Sequence, residues 1–193
     1  MTEIMFDLET LDTKPSAVIL SIGAATFEKD GTINDRFYRV LEMQEQLDRG
    51  RTVSQSTLLW WLRQDINARD EAFAPVRCMV PQAIHDFNDF VSRYADPSIT
   101  KFWCNGPSFD GVLWEDLCRT YTHVKASVPW RYNQLRDQRT LVDAARFSYD
   151  GFAPDIAGVA HNPVYDCEFQ IAIITECRRL LAQKGGPQGK EVW

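Results

Sequence analysis

Two acids, Asp7 and Glu9, stand one residue apart in the run IMFDLE, among the apolar residues Ile4, Met5, Phe6 and Leu8. Such a run reads as a β-strand. Alternate side chains of a strand share a face at a rise of about 3.3 Å per residue, so both carboxylates project to one side, roughly 7 Å apart. Like charges beside a core repel each other and lose hydration, which calls for a bound proton or a cation.

Two later stretches can bring further chemistry to the same place. NGPSFD puts Asp110 just past a short strand, at the start of a helix, where a side chain reaches a cleft beside the first strand. HNPVYD presents His161 and, five residues on, Asp166. A helix beginning near Asn162 or Pro163 holds Asp166 in its first turns and leaves His161 on the loop before it. Four carboxylates in one site suit hard divalent ions such as Mg²⁺ or Mn²⁺, which take oxygen ligands and keep waters. Two ions about 3.5–4 Å apart can bridge a scissile phosphate, one activating water and the other stabilising the leaving oxygen. A neutral imidazole, with an unperturbed pKa of about 6.5, can take the proton of that water.

The elements that must position these groups are legible from periodicity. Strands are predicted at 3–9, 17–27 and 33–40, the last two joined as a hairpin at Asp30-Gly31. SQSTLLWWLRQD, from Ser54, predicts a capped helix with Leu58, Leu59, Trp61 and Leu62 on one face. A second helix is predicted over 81–95, with Pro81 in its first turn and Ile84, Phe87, Phe90, Val91 and Tyr94 at helical spacing. A short strand at 100–104 leads through NGP into a helix at 108–121, and helices follow at 141–149 and 164–183. Three early strands followed by alternating strands and helices predict an α/β fold, a mixed sheet covered on both faces. Residues 1–183 read as one domain, and the tail 184–193 as loosely ordered.

Composition narrows the setting. The 193 residues, 45% hydrophobic and 12% aromatic, suffice for one core. Neither a membrane-spanning run nor a secretory leader is evident, so a soluble cytoplasmic protein is expected. The five cysteines are widely spaced, mostly in apolar stretches, with no CxxC pair, as expected of reduced core thiols. The net charge of −6 argues against broad electrostatic binding of nucleic acid, but a site charged by divalent ions can still hold a few phosphates.

Blander roles exist for each residue. Asp7 and Glu9 could end a strand in solvent, Asp110 and Asp166 could be first-turn helix acids, and His161 a capping residue. The three motifs together favour chemistry over these roles. His85 and His123 have no acidic or histidine partner at metal-ligand spacing and read as structural or solvent-facing. Helical geometry puts Trp61 in the core and Trp60 near the opposite face, as a base-stacking platform or a partner contact. Arg131, Arg136 and Arg139 form a basic patch near the second motif, of which Arg139 is favoured for phosphate contact.

DLET, NGPSFD and HNPVYD, in this order over positions 7 to 166, resemble the three motifs of the DEDDh class of 3′-to-5′ exonucleases. MFDLETLDTKPSAVILSIGAATF, WWLRQ and RDQRTLVD are similar to the branch that includes phage exodeoxyribonuclease A and RNase AS. The resemblance implies a ribonuclease H-like fold with a five-stranded sheet, and hydrolysis of single-stranded DNA or RNA from its 3′ end to nucleoside 5′-monophosphates. It implies two Mg²⁺ or Mn²⁺ ions held by Asp7, Glu9, Asp110 and Asp166, with His161 as general base. It further implies that Leu8 and Thr10 meet the terminal nucleotide, that Asn105 and Phe109 shape the site, and that the chain forms a homodimer. A non-catalytic nucleotide- or nucleic-acid-binding module on the same fold is the alternative, and the intact set of five residues counts against it.

Overall fold

The computed structural model describes residues 2–121 and 128–183, so the tail and His123 lie outside the described residues. A five-stranded mixed sheet in the order β3-β2-β1-β4-β5 forms its centre. The strands are β1 (Glu3–Thr10), β2 (Ile19–Phe27), β3 (Ile33–Val40), β4 (Phe102–Cys104) and β5 (Leu135–Asp137). The first three form an antiparallel meander, and β4 and β5 run parallel to β1 and to each other. At the β2–β3 turn, Gly31 takes a φ of 91° and the Asp30 carboxylate accepts the Thr32 N–H at 3.0 Å.

The helices are α1 (Met43–Asp48), α2 (Gln55–Trp61), α3 (Ile66–Ala72), α4 (Val80–Ser92), α5 (Val112–Tyr121), α6 (Gln138–Ala145) and α7 (Pro163–Gln183). Alternation along β1 sorts its side chains. Ile4, Phe6 and Leu8 join Phe87 and Phe90 of α4 and Leu113, Trp114 and Leu117 of α5 in the larger core. Met5 faces the other way, onto Cys167, Ile171 and Ile174 of α7. By the same alternation Asp7 and Glu9 face α7. At the far end of that helix the buried Glu3 carboxylate accepts hydrogen bonds from Arg178 and from the Trp103 indole, each at 2.5 Å. Helix α7 is thereby tied to the sheet at its C-terminal end.

Some expectations need correction. Helix α2 is only seven residues long, capped by Ser54, whose hydroxyl accepts the Thr57 N–H. Of the face predicted for the core, Trp61 alone is buried, while Leu58, Leu59 and Leu62 are exposed. Trp61 alone of this face reaches the core, its indole packing on Leu11, Val18 and Leu20 and donating to the Thr10 carbonyl. Helix α6 starts at Gln138, where Asp137 caps it, and not at 141. His85 is exposed as expected, but its ring lies 3.5 Å from Asp89, one turn on, an acidic partner that the sequence reading missed. The cysteines are free, four buried and Cys78 partly so. Among the described residues no helix is long and apolar enough to cross a membrane.

Gly23 sets how closely α7 approaches the sheet. It sits opposite Asp7 in the β1–β2 register. A Cβ at this position would lie 2.4 Å from the Pro163 carbonyl carbon and 2.5 Å from the Val164 nitrogen. The first turn of α7 therefore rests directly on β2 backbone. Gly23→Ala should destabilise the chain by about 1–3 kcal/mol in urea unfolding, the usual range for overpacking. Stability equal to the parent's would contradict so close a seat for α7.

Candidate active site

Three pieces of backbone converge beyond the C-terminal ends of β1 and β4. The strand β1 supplies Asp7 and Glu9. A π-helical turn over Pro107–Gly111, entered through Gly106 at φ 122°, supplies Asp110 and runs into α5. Wide turns of this kind recur at functional sites because they re-aim one side chain without ending the helix. The first turn of α7 supplies Asp166, and the loop before it supplies His161.

His161 is held in a strained, left-handed conformation, φ 68°. Its backbone N–H donates to the Asp166 carboxylate at 3.1 Å. Its ring meets the Trp60 indole edge-on, centroids 4.8 Å apart, and the Trp61 indole at 6.0 Å. Next to it, the Asn162 side chain accepts the Val164 N–H at the start of α7 and donates to Glu71 of α3 at 2.6 Å. The loop geometry is thus fixed on both sides of the imidazole. Glu9, His161 and Asp166 each present a ligand atom, and these atoms lie within 4.8 Å of one another.

The charge balance is unfavourable for ionised acids. Burial pushes the Asp7 carboxyl well up, and the neighbouring Asp110 and Asp166 charges push it further. Glu9 is likewise held well above its ordinary range by burial and by the charges of Asp7, Asp166 and Asp110. Burial raises Asp110 to about 7 against its own backbone N–H, the Arg139 charge and the N–H groups of Leu8 and Asn105, which pull the other way. Asp166 rises to about 6, again through burial. Desolvation lowers the His161 imidazole, so that it stays neutral further into the acid range. Among the described residues lining the cavity, Arg139 is the one permanent cation.

A cavity of about 490 Å³ contains all five groups. Leu8, Asn105, Phe109 and Arg139, expected around the substrate, line it as well. Thr10 does not: its hydroxyl donates to the Asp12 carbonyl at 2.9 Å and its own carbonyl holds Trp61. By the strand's alternation Thr10 falls on the face of Phe6 and Leu8, opposite that of Asp7 and Glu9. Of the basic patch, Arg131 is exposed on the loop before β5, and Arg136 donates to the carbonyls of Asn133 and Leu135, which leaves Arg139 at the cavity. Trp60 lines the wall beside His161. Tyr149, Phe169 and Gln170 line it too, and the sequence reading missed them. A lone tyrosine on a loop and polar or aromatic positions inside a long helix carry no local signal of a cleft.

Known proteins share this fold and family. The model of the "3'-5' exoribonuclease Rv2179c-like domain" matches residues 2–178. The exodeoxyribonuclease of Enterobacteria phage T4 is 23% identical over 210 residues, spanning 90% of this chain and 88% of that protein. Among solved structures, the nuclease domain of 3'hExo, a DEDDh family member bound to rAMP, superposes with a TM-score of 0.61 at 12% identity, covering 100% of this chain and 97% of that one. Exonuclease X in complex with 5′ overhanging duplex DNA gives 0.56 at 14% identity, over 94% and 92% of the two chains. These likenesses place the mixed sheet and its helices in the ribonuclease H-like exonuclease fold anticipated from the sequence. With its fold and a family match over nearly its whole length in agreement, the chain belongs to the 3′-5′ exoribonuclease Rv2179c-like domain family and is a 3′-5′ exonuclease.

Proposed function

We propose that the chain removes nucleotides one at a time from the 3′ end of single-stranded DNA or RNA, releasing nucleoside 5′-monophosphates, with two divalent cations and His161 as general base. The observation that carries this reading is the convergence of Asp7, Glu9, Asp110 and Asp166 on one cavity, with the imidazole beside Glu9 and Asp166. The donor set fits Mg²⁺ or Mn²⁺. It consists of hard carboxylate oxygens, crowded and short of positive charge. Bound there, the ions would supply Lewis-acid activation of water and charge stabilisation at the leaving oxygen.

The residues divide the remaining work. His161, neutral because its ring is desolvated against Trp60 and Trp61, takes the proton from the attacking water. Arg139 offers its guanidinium to phosphate oxygens at the cavity edge. Leu8, Phe109 and Trp60 form apolar walls for the terminal sugar and base, and Asn105 adds a polar contact. Leu58, Leu59 and Leu62, exposed together on α2 and just beyond it, support a homodimer that covers them, which light scattering can check. The free cysteines are in keeping with a reducing cytoplasm.

Asp7→Asn or Asp166→Asn should abolish Mn²⁺-dependent release of mononucleotides from 3′-labelled oligonucleotides, with EDTA as control. Matched DNA and RNA strands in the same assay identify the preferred sugar. Activity retained in either variant would remove the two-cation reading. His161→Ala should slow turnover by about 10²–10⁴-fold, the usual worth of a positioned acid or base, while Mn²⁺ still binds. Loss of Mn²⁺ binding in that variant would instead make the histidine a ligand.

The same carboxylates predict an unusual stability profile. Asp110, at about 7, and Asp166, at about 6, take up protons in the folded state while unfolded carboxylates, near 4, are still ionised. Their contribution to stability is fully present below the unfolded pKa and lost as pH rises through these folded values. The depressed imidazole works the other way, one group against four. The metal-free chain should therefore melt at a higher temperature at pH 6 than at pH 8, and Mn²⁺ should raise the midpoint most at pH 8. A metal-free midpoint that falls between pH 8 and pH 6 would contradict the charge balance.

A further inference from the structure

Gln170 is the one amide on the buried face of α7, which otherwise carries Pro163, Cys167, Ile171, Ile173, Ile174 and Cys177. It is 6% exposed. Its Nε2 donates to Asp7 Oδ1 at 2.9 Å, whereas its Oε1 is buried with no partner among the described residues. A buried amide left half-satisfied is costly, and methionine or leucine would fill this place without the orphan oxygen. The amide therefore serves the one bond it does make.

That bond goes to a carboxylate pressed by burial and by the charges of Asp110 and Asp166. The Asp166 side chain is oriented by the His161 N–H, and that of Asp110 by the backbone N–H groups of Leu8 and Asn105. For Asp7, the described residues supply Gln170 alone. A neutral donor is the right chemistry here. A lysine or arginine would bring its own cation into the acidic cluster, while an amide engages one carboxylate oxygen and leaves the negative charge in place.

We infer that Gln170 is a positioning residue of the cation site, whose amide holds the Asp7 carboxylate in the orientation that takes a divalent ion. The inference rests on the divalent-cation reading above. Outer partners of metal-ligating carboxylates and imidazoles act in this way, fixing ligands without touching the ion.

The test is Gln170→Met, which keeps length and volume but removes the donor. Mn²⁺ is titrated calorimetrically into the full chain without substrate, and the melting midpoint is measured without metal. The Mn²⁺ dissociation constant should rise by about 10–100-fold, the usual effect of losing such a partner, while the metal-free midpoint stays level or rises because the orphan oxygen is gone. An unchanged dissociation constant in the folded variant would overturn the inference and leave Gln170 a packing residue. If the methionine variant does not fold, Gln170→Leu is measured in the same way and judged by the same outcomes. Failure of the parent chain to bind Mn²⁺ would overturn the cation reading and this inference together, so the two failures are told apart in the parent titration.

Discussion

Four carboxylates held in one partly buried cavity repel each other, and the scaffold has to resist that repulsion before any chemistry begins. No single element could do so. Asp7 and Glu9 are fixed by the pleat of a strand paired with β2 along its length and with β4 at Ile4 and Met5, Asp110 by a π-helical turn, and Asp166 by the first turn of a 21-residue helix. The apolar cores on either face of the sheet supply the free energy that keeps these pieces together. Gly23 lets the first turn of α7 rest on the sheet, and the Glu3–Arg178 pair ties down its other end. An acidic cavity with little positive charge of its own is a costly thing to fold, a cost the proposed cations would offset.

The His161 imidazole is positioned by a second arrangement. The left-handed backbone at His161 directs the main-chain N–H to Asp166 while the ring turns towards Trp60 and Trp61. The two indoles desolvate the imidazole and depress its proton affinity, and the Glu71–Asn162 hydrogen bond steadies the loop from outside. Helix α2 is short and poorly buried in itself. Its purpose is visible in the pair of adjacent tryptophans, Trp61 anchored on the Thr10 carbonyl and Trp60 at the wall of the cavity.

Much of this was legible in the residues. The strand period placed Asp7 and Glu9 on one face, Asp30-Gly31 marked the hairpin, and the five-residue step from His161 to Asp166 put one on a loop and the other on a helix. What escaped notice depended on tertiary context. The leucines around Trp61 have helical spacing, but Trp61 alone reaches the core, so spacing overstated burial. Helices α1 and α3 and the strand β5 are too short for periodicity to declare them. Thr10, by strand alternation, falls on the face opposite Asp7 and Glu9, and its hydroxyl and carbonyl are engaged by Asp12 and Trp61. Gln170 lies within an ordinary helical pattern and reads as a solvated residue until Asp7 is found beside it.

Anomalous scattering from crystals grown with Mn²⁺ and a nucleoside 5′-monophosphate tests the central claim most directly. The account predicts two peaks about 3.5–4 Å apart, ligated by Asp7, Glu9, Asp110 and Asp166, with His161 close by and outside the ligand set. Peaks elsewhere on the surface, or none beside Asp7, would show that the carboxylates are assembled for something other than holding cations.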